Sequence, residues 1–142
     1  MYNPTRDQAR NFLFEAWRKY RQKLLLSDLE SLAAGHILAH PEYHGLLDDA
    51  ENSLDRDWLP ELGETNPFLH LAMHLAISEQ LSIDQPGGLK SAYARLCVRL
   101  GDQHRAQHAV MDCLAETIWR AQRDGTPPDG AAYIDCLEKA HG

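Results

Sequence analysis

Eight histidines occur in the chain, and six stand in pairs four residues apart: His40/His44, His70/His74 and His104/His108. On a helix, residues four apart share a face, with Cβ atoms about 5–6 Å from one another. Helical proteins build metal centres from such inward pairs on facing helices. Nitrogen-rich donor sets suit Zn, Fe, Cu or Ni rather than Mg or Ca. The expected cofactor is therefore a divalent transition metal, zinc or iron. His70 and His74 are the expected core ligands, and His108, His104, His40 and His44 are candidates to complete the site. Glu30, Glu42, Asp112 and Glu116 are the carboxylates within reach of the same elements. An open metal position would activate a water or bind oxygen, which makes the expected function a metal-dependent enzyme or a metal or oxygen sensor. The competing expectation is a non-enzymatic interaction module whose histidines are hydrogen-bonded core.

Other chemistry is thin. No glutamate follows His70, because residues 71–73 are Leu-Ala-Met, so the HExxH zincin motif is absent. GxSxG, P-loop and GxGxxG motifs are absent as well. Asp55-Arg56-Asp57 opens like a calcium loop, but Pro60 occupies the glycine position and Asn66 the position of the bidentate glutamate. Cys97, Cys113 and Cys136 are odd in number and widely spaced, which predicts reduced, buried thiols rather than a disulfide framework.

The elements that must carry the histidines read as helices. Asn66-Pro67 is a cap followed by a proline suited to a first helical turn, and from Phe68 to Ile77 every residue but His70 and His74 is apolar. That helix is expected to run to about Ser82 as a buried axis. A first helix is expected from Pro4, capped by Asn3, with Ala9, Phe12, Leu13, Ala16, Trp17, Tyr20 and Leu24 inward and Arg10 outward. A second opens on the capping box Ser27-Asp28-Leu29-Glu30 and buries Leu29, Leu32, Ala33, His36, Ile37 and His40 before Pro41 interrupts it. After the Asp84–Gly88 turn, one helix ends at Gly101 and the next is capped by Asp102. The latter is expected to bury Val110, Met111, Leu114, Ala115, Ile118 and Trp119. A short last helix follows Pro127-Pro128. The fold class is all-α, a single-domain bundle over residues 1–142 with four main helices and one or two short ones.

Composition bounds the partners. The chain has 142 residues, 44% apolar and 25% charged, the balance of a globular domain, with no apolar stretch near the roughly 18 residues of a membrane span. No secretion signal opens it, so a cytoplasmic protein is expected. A net charge of −7 argues against nucleic-acid binding. Residues 1–26 carry six basic and two acidic side chains, whereas residues 45–64 carry seven acidic and one basic. The acidic stretch reads as a loop with room for a short helical turn, and as the candidate surface for a protein partner or a second copy.

His40-Pro-Glu-Tyr-His44, the string from Asn66 to Ile77, Ser82-Ile-Asp-Gln-Pro86 and Ala121-Gln-Arg-Asp-Gly-Thr-Pro-Pro-Asp129 together resemble a family of uncharacterised bacterial proteins classed as a domain of unknown function. The resemblance spans nearly the whole chain. It implies a short bacterial single-domain protein and supplies no catalytic residues. A looser resemblance is to hemerythrin- and DinB-like bundles, which bind metal through His and carboxylates on several helices. Here Asp48 follows His44 and Ser78 follows His74 where an HxxxE step would need glutamate, which makes a mononuclear site as good an expectation as a di-iron one.

Overall fold

The computed structural model describes residues 6–54 and 66–140. They form α1 (Arg6–Arg21), α2 (Asp28–Leu38), a 3-10 turn (Pro41–Tyr43), α3 (His44–Asp48), α4 (Ala50–Ser53), α5 (Pro67–Ile83), α6 (Leu89–Leu100), α7 (Gln103–Asp124) and α8 (Gly130–Lys139). The protein is all-α, with no strand among the described residues, and five of its helices exceed ten residues where four main ones were expected. No described helix is long and apolar enough to cross a membrane. The expected Asn3-Pro4 helix start lies outside the described residues. Of the acidic stretch 45–64, the part up to Leu54 holds the short helices α3 and α4, as the helical turn expected there allows, and the remainder lies outside the described residues. The chain divides into two compact units, Met1–Leu75 and Ala76–Gly142.

In the first unit, Leu13, Phe14, Ala16 and Trp17 of α1 pack with Ala33 and Ile37 of α2, Leu47 of α3, and Phe68 and Leu71 of α5. The capping box forms as expected: the Ser27 hydroxyl accepts from the Glu30 N–H, and the Glu30 carboxylate accepts from the Ser27 N–H. Three expectations for α1 fail, the first being Tyr20, which is exposed rather than inward. The helix ends at Arg21, and Lys23 turns into the left-handed region at φ 58°, so Leu24 leaves the helical register and is 48% exposed. Arg10 is buried rather than outward. Its guanidinium lies 4.5 Å from the Phe68 ring centroid and donates to the Leu54 carbonyl at 2.6 Å, so one cation is hydrogen-bonded and sheltered by an aromatic face. Leu32 is exposed on α2, where Glu30 and Ala34 are buried instead.

In the second unit, Leu89, Ala92 and Leu96 of α6, Ala106, Val110, Met111 and Leu114 of α7, and Tyr133 and Leu137 of α8 are buried. Gly101 and Gly125 end α6 and α7 at φ 69° and 65°, conformations in which a Cβ would be strained, and Asp102 caps α7 through the His104 N–H. The buried face of α7 is turned from the expected one. Cys113, Thr117 and Ala121 point inward, while Ala115, Ile118 and Trp119 are exposed. The cause is α8, which is joined to α7 by a disulfide between Cys113 and Cys136. This corrects the expectation of three reduced thiols: the two Cα atoms are 5.8 Å apart, within disulfide reach, although 23 residues separate them in sequence. Cys97 remains a free thiol.

Candidate metal centre

Two elements of the first unit bring histidines together. The first is the end of α2. Here the backbone tightens: the His40 N–H bonds the Ile37 carbonyl at 3.0 Å rather than the His36 carbonyl one residue earlier. Pro41, which cannot extend a hydrogen-bonded helix, opens the 3-10 turn. The last carbonyls of α2 therefore need other donors. The His40 ring turns back, its Nδ1–H donating to the His36 carbonyl at 2.7 Å, and the His44 Nε2–H donates to the Ile37 carbonyl at 2.9 Å. The first bond fixes the His40 tautomer and leaves Nε2 with its lone pair outward.

The second element is the opening of α5. The Asn66 side chain accepts from the N–H groups of Phe68 and Leu69 at 3.0 and 3.2 Å, which starts the helix at Pro67. His70 and His74 then share one face, their ring centroids 4.8 Å apart. The helix is not buried on every side as its composition suggests: Leu69 is 59% exposed, while His74 is 3%. The apolar run thus buries the histidine face and leaves a leucine in water.

These elements converge. His40 Nε2 lies 3.2 Å from His70 Nε2, and the His40 ring centroid is 4.9 Å from that of His74. His40, His70 and His74 each offer a ring nitrogen within 4.8 Å of the others, a group that could hold a metal ion. Zinc–imidazole bonds of about 2.0–2.1 Å in a tetrahedron separate two nitrogens by roughly 3.3 Å, close to the His40–His70 spacing. His36 joins this group in a different role. Its ring stacks on His74 at 5.0 Å and 20°, and burial, with the neighbouring His40, holds its pKa below the ordinary 6.5. Tyr43 stacks on His40 at 5.3 Å.

The His44 ring lies 4.5 Å from Trp17, with its Nε2 engaged by Ile37. His104 and His108 form a pair on α7 in the second unit, with ring centroids 4.3 Å apart. Glu30 is engaged by Lys19 at 2.9 Å and by the Ser27 N–H, Glu116 pairs with Arg120, and Glu42 and Asp112 are exposed. His141 lies outside the described residues. Sequence reasoning missed His36 and Tyr43 as neighbours of the site. The ladder His36-His40-His44 was the available signal, but Pro41 hid which of its members turns toward α5.

The second unit holds a groove of about 960 Å³ between α7 and α8, lined by Cys113, Cys136 and charged side chains of both signs. Its Arg120, Arg123 and Lys139 are paired with Glu116, Asp124 and Asp135, so their charges are spent on one another.

Residues 5–139 match a family described as a domain of unknown function, DUF1841. The chain belongs to the DUF1841 family. This agrees with the family resemblance carried by the histidine and proline strings. No curated protein and no solved structure matches the chain. The looser likeness to hemerythrin- and DinB-like bundles rests on the histidine pattern alone.

Proposed function

We propose that this DUF1841 protein binds a divalent transition metal, zinc or iron, on His40, His70 and His74. The observation that carries the reading is the convergence of three imidazole nitrogens within 4.8 Å, with His40 held to one tautomer by the His36 carbonyl. A hydrogen bond from the second ring nitrogen to a backbone carbonyl is the usual outer support of a ligating histidine, because it fixes the ring and raises its basicity. The centre would polarise a bound water or, as iron, bind oxygen, which supports an enzyme or sensor role. His104 and His108 remain candidates on the sequence pattern.

The test is metal content of untagged protein as purified, with an absorption spectrum. About one equivalent is expected in the native chain, and less than about a tenth in H70A/H74A. Less than a tenth in both would end the proposal. H104A/H108A tests the α7 pair: unchanged metal content removes it from the ligand set.

A second reading keeps the histidines structural, since His40 and His44 both satisfy carbonyls at the end of α2. It expects the same melting temperature with and without chelator.

A further inference from the structure

We propose that the metal-loaded His40–His70–His74 centre takes a small monoanion as a further ligand, so that the ligand or substrate class of this site is anionic. The inference rests on the metal reading above and follows from charge. Imidazole ligates as a neutral donor, so these ligands leave the ion its full charge of about two. Among the described residues, no carboxylate or thiolate belongs to the converging group.

Among the described acidic side chains of the first unit, Glu42 is exposed, and Glu15, Glu30 and Asp48 have partners of their own. Glu15 pairs with Arg18, Glu30 with Lys19, and Asp48 with Arg21 and the Trp17 indole N–H. Arg10, buried over Phe68 two residues before His70, adds positive charge to the same end of α5. His40 and His74 are 5% and 3% exposed, so bulk water is partly excluded from the ion. A divalent charge in such a place is costly until a counter-charge reaches it, and the interaction strengthens as the local dielectric falls. Direct coordination brings that counter-charge closest. Hydroxide, azide, thiocyanate and a simple carboxylate share the required chemistry: one negative charge, one donor atom and small size.

The experiment loads the full chain with Co²⁺ and follows its visible d–d bands during titration with azide, with perchlorate at equal ionic strength as the control. A saturable band shift with azide and none with perchlorate is expected. H70D supplies a carboxylate from the chain itself, and azide should then bind roughly tenfold more weakly or worse, with the cobalt bands retained. H40D makes the same comparison if H70D does not hold cobalt. Wild-type bands that azide leaves unmoved would overturn the anion proposal while the metal reading stands. Equal azide affinity in the wild type and the aspartate variant would overturn the charge argument. Absence of cobalt bands in the wild type would remove both.

Discussion

In the first unit, helices meet through rings. Phe14 stands edge-on to Phe68 at 5.4 Å, Trp17 packs on His44, and the histidines of α2 and α5 lie on one another at about 5 Å. In the second unit they meet through mostly aliphatic side chains, with Tyr133 buried among them, and the α7–α8 pair is closed by a covalent bond. The α8 helix is also held by Tyr133 donating to Gln80 at 2.8 Å, by Arg99 on the Leu137 carbonyl and by the Arg95–Glu138 pair. The difference is chemical. Aliphatic packing and a disulfide complete themselves. Buried imidazoles carry lone pairs and protons that must be matched, and they are least costly where a ligand matches them. The unit whose interior gathers four imidazoles is therefore the one in which a binding site is to be sought.

Four variants break or sharpen this contrast. The largest effect belongs to the ring-built core. Trp17→Ala removes a side chain 2% exposed, the packing under His44 and the indole bond to Asp48 at 2.7 Å. It should cost about 3–5 kcal/mol in urea unfolding. A loss below about 1 kcal/mol would show that the rings are not what holds the first unit.

Next comes the covalent closure. C113S/C136S opens a bridge spanning 23 residues and should cost about 2–4 kcal/mol, with no change in metal content. Coupled loss of metal would erase the division of labour between the two units.

The smallest effect is at the start of α2. Ser27→Ala removes one half of the capping box and should cost about 1 kcal/mol. Its partner gives a pH signature. The Ser27 N–H first, and Lys19 second, hold the Glu30 carboxyl below its ordinary 4.5. The folded chain thus takes up this proton less readily than the unfolded one. The contribution is complete above the unfolded value and is lost as pH falls through the depressed folded value. E30Q should lower the melting temperature at pH 7 and have less effect once pH is well below 4.5, and equal shifts at both would contradict the assignment.

Much of this was legible in one dimension because it is local. Ser27 and Glu30, Asn66 and Pro67, and Gly101 and Asp102 mark helix ends through hydrogen bonds and backbone conformations that involve only a few neighbours. The His70/His74 pair was legible for the same reason, since helical spacing alone puts both rings on one face. The inward face of α7 was not. A stripe read from hydrophobicity favours Ile118 and Trp119, whereas the real face is chosen by the helix that packs there, which brings Cys113 and Thr117 inside.

What the sequence by itself determined is the helical class, most of the helix ends, the family and the placing of His70 and His74 on one helix face. Each depends on contacts within a turn or two, or on strings of residues. Only the tertiary structure decided that Cys113 meets Cys136, that Arg10 is buried, and that His40 rather than His44 turns toward His70 and His74. These depend on where a chain interrupted at Pro41 goes next and on which helix packs against it. That outcome is set by the sum of many distant contacts, and no single spacing in the sequence encodes it.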